Sequence, residues 1–246
     1  MYQKEKKLAV SEIFYSIQGE GKTMGYPSVF LRLGGCNLMC GGMGTQHDKE
    51  LHNDAEWRCD TIEVWMKSQS IKIHDILEKK YIEELNHGAH LIITGGEPLM
   101  QQKNLIPFLE YIKKLTNCYI EIETNGTIIP NKKLLNVVDL FNCSPKTANS
   151  GNDYEMRFNS NALNVINLDA KDSIFKFVIS NNNDYKEIIK DYGNYIKRNK
   201  VWLMPAGENQ ILLNKNKKIV AEICKENNVK FTTRLHIEIW NKKTGV

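Results

Sequence analysis

No apolar run in this chain approaches the roughly 20 residues a helical membrane span needs, which excludes that class of protein. The opening stretch, MYQKEKKLAVSE, is basic but lacks the apolar centre of a secretory signal, so the expected compartment is the cytoplasm. There is no basic block to mark a nucleic-acid surface. The 33 lysines and arginines are spread against 29 acids, leave a net charge of only +4, and read as solvated surface. Internal repeats and low-complexity linkers are missing too, so residues 1–246 are expected to form one domain with a sizeable core. Six cysteines in a reducing compartment do not suggest a disulfide framework; a cluster of them points to a metal or to catalysis.

What is present is an alternation of short apolar runs and amphipathic segments. SVFLRL (28–33), HLIIT (90–94), YIEIET (119–124), VDLFNC (138–143), IFKFVIS (174–180) and KVWLMP (200–205) read as buried strands. Between them, IHDILEKKYIEELNHG places Ile73, Ile76, Leu77, Tyr81 and Leu85 on one helical face, with Gly88 as a C-cap. NLIPFLEYIKKLT (104–116) and KKIVAEICKENN (217–228) behave alike, and SNNND (180–184) is a turn. Alternating strands and helices with continuous apolar strands predict an α/β fold, a parallel sheet covered by helices, and six such strands suggest either a doubly wound sheet or a partial barrel. LAVSEIF (8–14) and KFTTRLHIEIW (230–240) add an expected strand before and after the set.

The segment 34–61 departs from this pattern. It is polar, Gly-rich, longer than most loops in compact domains, and carries Cys36, Cys40 and Cys59 as C-x3-C-x18-C. Thiolates so spaced favour zinc or iron–sulfur chemistry. Zinc needs a fourth ligand, which His47 or His52 within the loop would supply. A four-iron cluster usually has four cysteines, and three would leave one iron open to an exogenous ligand. Unliganded thiols are the third reading. TGGEPLMQ (94–101) lies between a strand and a helix; its glycine pair lets a ligand approach the backbone, and Glu97 adds a carboxylate. Cys118, Cys143 and Cys224 sit in apolar contexts and read as core thiols, and His74, His87 and His90 lack paired spacing.

Five segments together carry a resemblance: EIFYSIQGEG (12–21), VFLRLGGCN (29–37), CDT (59–61), TGGEP (94–98) and ETNGT (123–127), with SPK (144–146) in support. They resemble, in order, the radical S-adenosylmethionine (SAM) enzymes and, within these, the 7-carboxy-7-deazaguanine synthase family. The resemblance implies a partial (β/α) barrel of about six parallel strands, bearing a cluster-binding loop at 34–61. The family's usual spacing is C-x3-C-x2-C. Here the last gap has grown, and a loop can bulge between ligands at small entropic cost. The aromatic residue that often precedes the last cysteine is replaced by Arg58, with Trp57 beside it.

Carried over residue by residue, the resemblance makes Cys36, Cys40 and Cys59 the ligands of a [4Fe–4S] cluster whose open iron takes SAM. It implies SAM contacts from Gly96, Glu97, Ser144, Pro145, Lys146, Met204, Pro205, Ala206 and Gly207. It implies a substrate site at Ile17, Gln18, Gly19, Arg32 and Thr94, with Thr61 on Mg²⁺. The implied substrate is 6-carboxy-5,6,7,8-tetrahydropterin, contracted to 7-carboxy-7-deazaguanine with loss of ammonia. Arg32 suits its carboxylate, since a guanidinium binds one bidentately, and the Gln18 amide offers a donor and an acceptor to a pterin edge. The implied partners are a flavodoxin- or ferredoxin-type reductant and a second subunit in a homodimer, with no nucleic acid. Two rivals stand beside this: another radical SAM enzyme, such as a glycyl-radical activase, and a non-catalytic zinc module using His47 or His52. The 41–58 insertion is expected to pack over the cluster without supplying ligands.

Overall fold

The computed structural model describes residues 5–243 and 245. Nine strands among them form one sheet: β1 (Lys7–Ile17), β2 (Pro27–Leu33), β3 (Gln69–Lys72), β4 (His90–Gly95), β5 (Ile120–Thr124), β6 (Leu140–Cys143), β7 (Ser173–Ile179), β8 (Val201–Pro205) and β9 (Lys230–Phe231). Their order is β3-β1-β2-β4-β5-β6-β7-β8-β9. β1 pairs antiparallel with both β2 and β3, and every pairing from β2 to β9 is parallel. This is the expected partial barrel, an open run of parallel strands with additions at each end. Helices α3 (Lys79–Asn86), α4 (Gln102–Leu115), α5 (Lys132–Val137), α7 (Ser160–Asp169), α8 (Asn182–Tyr192) and α9 (Gln210–Asn227) return the chain between parallel strands or follow the last long one. The short helices are α1 (Thr45–Asp48), α2 (Ile62–Trp65), α6 (Tyr154–Arg157) and α10 (Leu235–Trp240). No helix among the described residues is long and apolar enough to cross a membrane.

Successive side chains point to opposite sides of the sheet, and the two faces differ in polarity. Leu31, Ile93, Ile122, Phe141, Phe175, Phe177 and Leu203 form the core against the helices. Their alternates, Arg32, Thr94, Glu121, Glu123, Asn142 and Lys176, belong to the other face, where a network of polar contacts forms. The chain beyond β1 crosses that concave face: Gln18 reaches Glu121 and Glu123 on β5, and Thr23 also bonds Glu121. The core face packs against the helices as expected, and the other face carries polar groups among its strands.

Other boundaries differ for local reasons. The terminal strand expected over 230–240 is only the two-residue β9, followed by α10, because Arg234 turns the chain and Leu235 bonds back to Gly19. The helix expected from Ile73 starts at Lys79; Ile73 and Ile76 are buried from a turn instead. SNNND is the N-terminus of α8, where Asn181 and Asp184 form a reciprocal capping box. β3 escapes detection because QSIK, an exposed edge strand, has a single apolar residue.

Candidate active site

A cavity of about 570 Å³ opens at the C-terminal ends of the parallel strands, where ligands bind in such folds. The nominated site residues line it with three exceptions, Glu97, Pro145 and Pro205. Glu97 is fully buried, and its carboxylate accepts bonds from Leu99 N at 2.9 Å, Thr124 Oγ1 at 2.8 Å and Asn125 N at 2.7 Å. It ties the end of β4 to the end of β5, so its carboxylate does not face the cavity as expected.

Gly96 brings that turn against the cysteine loop. Its amide donates to Leu33 O at 3.2 Å, and Glu97 N donates to Gly35 O at 2.9 Å. A Cβ at Gly96 would lie 2.0 Å from Gly35 O and 2.8 Å from Cys36 Cβ, so the approach requires glycine.

The three loop cysteines share the cavity wall, while Cys118, Cys143 and Cys224 are buried elsewhere in the core. Cys59 N donates to Cys40 O at 3.1 Å, which closes the insertion at its base. Each sulfur has one polar neighbour: Leu38 N at 3.5 Å from Cys36, Asn152 Nδ2 at 3.6 Å from Cys40, and Thr61 Oγ1 at 3.4 Å from Cys59. Burial pushes the Cys36 thiol up to about 11 and the Cys40 thiol up to about 12. Sulfurs so desolvated are poor free thiolates and ionise on binding a cationic centre. The donor set therefore fits a thiolate-held cluster. Among the described residues no group of three or more His, Cys, Asp or Glu side chains closes around a single ion. His47 instead bonds Gln46 at 3.2 Å and His52 bonds Asp48 at 2.9 Å, and neither lines the cavity.

The insertion docks on residues 147–152. Gly41 N bonds Ser150 O at 2.9 Å, Glu56 N bonds Asn149 O at 2.8 Å, and Trp57 Nε1 bonds Asn149 Oδ1 at 2.9 Å. Arg58 turns to the Thr45 backbone and hydroxyl and to Glu63. Trp57 presents its ring to the cavity, with Lys146 Nζ 5.7 Å from the ring centroid. Lys146 is held from behind, as its carbonyl accepts from Tyr192 OH at 2.6 Å and Arg157 NH1 at 3.0 Å.

On the opposite wall Arg32 pairs across β1–β2 with Glu12, Nε to Oε1 at 2.6 Å, and its guanidinium lies 5.9 Å from the Phe14 ring centroid. Among the described residues only Nε bonds a protein acceptor, and the fork at the end of the guanidinium makes no hydrogen bond to them. Gln18 lines the cavity with its amide engaged by protein: Nε2 donates to Glu121 at 3.2 Å and Glu123 at 3.1 Å, and Oε1 accepts from Glu20 N. Burial and the neighbouring Glu123 push Glu121 up to about 7.

Sequence reasoning singled out none of Glu20, Lys176 and Arg234, which add a further set of charges to the same cavity. Lys176, 4% exposed on β7, pairs with Glu20, which also accepts from Arg234 Nε at 3.0 Å. Burial opposes the Glu20 charge, but Lys176 and Arg234 outweigh it and hold the carboxyl well below its usual range. His236, set on α10, sits over Gly19, where a Cβ would lie 2.3 Å from its Nδ1. A signal was available in the strands themselves, for a lysine within IFKFVIS and glutamates alternating in YIEIET mark a polar face.

The profile of a family described as "4Fe-4S single cluster domain" matches residues 17–167, well over half of the chain. The 7-carboxy-7-deazaguanine synthase of Halobacterium salinarum is 30% identical over 257 residues, spanning 95% of this chain and 91% of that protein. The enzyme of the same name from Pyrobaculum aerophilum is 29% identical over 244 residues, covering 97% of each chain. The crystal structure of QueE from Escherichia coli superposes with a TM-score of 0.63 at 23% identity, covering 94% of this chain and 95% of that one. Because the likeness runs through both the cysteine loop and the cavity-lining C-terminal segment, the chain belongs to the 7-carboxy-7-deazaguanine synthase family.

Proposed function

We propose that this protein is a radical SAM lyase that converts 6-carboxy-5,6,7,8-tetrahydropterin to 7-carboxy-7-deazaguanine with release of ammonia. The observation that carries the reading is one cavity shared by three cysteine sulfurs and the Arg32 guanidinium. When bound, the [4Fe–4S] cluster and SAM supply one-electron cleavage of SAM and, from it, hydrogen abstraction. The chain's own part is to hold, orient and exclude water.

Cys36, Cys40 and Cys59 would hold the cluster through their sulfurs. The Gly96 backbone, Ser144, Lys146, Met204, Ala206 and Gly207 would seat SAM, and Trp57 would offer the aromatic face that Arg58 cannot. The outer fork of Arg32 would take the pterin carboxylate, with Ile17, Gly19 and Thr94 along the ring. Gln18 would orient the two β5 carboxylates. Thr61 would give its hydroxyl to Mg²⁺, an ion that takes few protein ligands and keeps the rest for water and substrate. A flavodoxin- or ferredoxin-type reductant and a homodimer belong to the same proposal, as does a cytoplasmic setting.

The test is an anaerobic reaction of the reconstituted protein with SAM, dithionite and 6-carboxy-5,6,7,8-tetrahydropterin, with the product identified by mass. Product at the mass of 7-carboxy-7-deazaguanine is expected. SAM cleavage with the pterin unchanged would overturn the substrate.

A further inference from the structure

The segment that follows β9 is stitched to β8 and to the loop after β1. Thr232 N donates to Leu203 O at 3.0 Å, Gly21 N donates to Thr232 Oγ1 at 2.9 Å, and Leu235 N donates to Gly19 O at 2.9 Å. These bonds carry Arg234 to the cavity wall with its side chain only 15% exposed. Its guanidinium then reaches three loops at once. Nε donates to Glu20 Oε1 at 3.0 Å, NH1 donates to Gly207 O at 2.9 Å, and NH2 pairs with Asp60.

Those three acceptors belong to the three parts of the site. Asp60 lies between the sulfur-bearing Cys59 and Thr61, Gly207 lies in the turn after β8, and Glu20 belongs to the SIQGEG loop. A planar guanidinium fixes the angles between its acceptors, which a single-point ammonium cannot do. With three of its five N–H groups engaged by protein, Arg234 is better placed to hold the cavity's walls than to bind a ligand.

We propose that Arg234 is a positioning residue that sets the register between the cluster loop, the SAM turn and the substrate loop, through its simultaneous grip on Asp60, Gly207 and Glu20. This rests on the function proposed above. Its chemical consequence is coupling. Hydrogen abstraction requires that the site of SAM cleavage and the substrate hydrogen be aligned, and a displacement of about 1 Å costs on the order of a hundredfold. Loss of the grip leaves the sulfurs and the Arg32 fork in place, so SAM is still cleaved but without delivery to the pterin.

The experiment compares wild type, Arg234→Ala, Arg234→Lys and Asp60→Asn, each reconstituted anaerobically. The readouts are 5′-deoxyadenosine released per deazaguanine formed, iron content, and amide hydrogen exchange over residues 58–61 and 205–209. In Arg234→Ala the ratio should rise by on the order of a hundredfold at unchanged iron content, with faster exchange in both segments. Arg234→Lys should recover only part of the coupling. Asp60→Asn, which keeps shape and removes one charge, should speed exchange over 58–61 alone, and it carries the test if Arg234→Ala fails to fold. A wild-type ratio and wild-type exchange in Asp60→Asn and in a folded Arg234→Ala would overturn the proposal. If wild type cleaves SAM but leaves the pterin untouched, the substrate reading has failed, and the exchange data still decide the role of Arg234.

Discussion

Cys59 donates its amide to the Cys40 carbonyl at 3.1 Å, so the two ends of the eighteen-residue excursion between them are in backbone contact. To the remainder of the fold, the stretched motif therefore resembles an unstretched one with a lobe attached. The lobe rests on residues 147–152, and Asn152 reaches from there to the Cys40 sulfur.

Removing a loop sulfur should remove the cluster. Cys36→Ala, Cys40→Ala and Cys59→Ala should each lose stoichiometric iron and the absorbance of the anaerobically reconstituted protein. Cys118→Ala and Cys224→Ala, in the helix-facing core, should keep both. Full iron content in Cys40→Ala would contradict its place among the ligands.

The insertion's histidines should be dispensable. His47→Ala combined with His52→Ala removes bonds to Gln46 and Asp48 only, and neither ring lines the cavity. Iron content and turnover should stay at the wild-type level. A metal analysis showing loss of bound zinc in the double variant would revive the zinc module.

Arg32→Ala should weaken turnover of the carboxylated pterin by on the order of 2–5 kcal/mol, as for one partner removed from a buried charge pair. Arg32→Lys should restore only part, lacking the fork that leaves Nε on Glu12 while presenting two further nitrogens. Dithionite-driven SAM cleavage without substrate should persist in both. Unchanged kcat/KM in Arg32→Ala would remove the carboxylate from this residue.

Gly96→Ala should destabilise the fold by about 1–3 kcal/mol, since its methyl would meet the Gly35 carbonyl and the backbone must move. Denaturant unfolding of the apoprotein reads this without any cofactor. A wild-type midpoint would show that the turn after β4 relaxes freely.

Glu121 should make stability pH-dependent in one direction. Its carboxyl is raised to about 7 in the fold from 4.5 when unfolded, so the native state holds the extra proton between those values. The stabilisation is complete below pH 4.5 and is lost as the pH rises through about 7. In Glu121→Gln that component disappears, so the variant-minus-wild-type difference should rise with pH across the window and level off above it. A flat difference in denaturant unfolding would show that Glu121 ionises normally.

How far the sequence alone decided this protein varies from element to element. The runs from SVFLRL to KVWLMP are apolar enough to force burial wherever they pair, so the strands and their alternation with the helices were legible, whereas the partial barrel came from the family resemblance. The loop cysteines and the GGEP turn stood out because each is a short local pattern with chemistry of its own, and Arg32 stood out through the family resemblance. What stayed hidden depends on contacts between positions far apart in the chain. The Gln18 amide is spoken for only because the loop after β1 crosses to β5, more than 100 residues away. Glu97 faces inward only because the end of β5 offers it two donors. KFTTRLHIEIW alternates like a strand, yet it becomes a helix beyond Phe231, where Leu235 bonds to Gly19. Periodicity reports which face of a segment avoids water, whereas the partner of a buried charge is set by the closure of the barrel, and only the tertiary structure joins Arg234 to Asp60 across 174 positions.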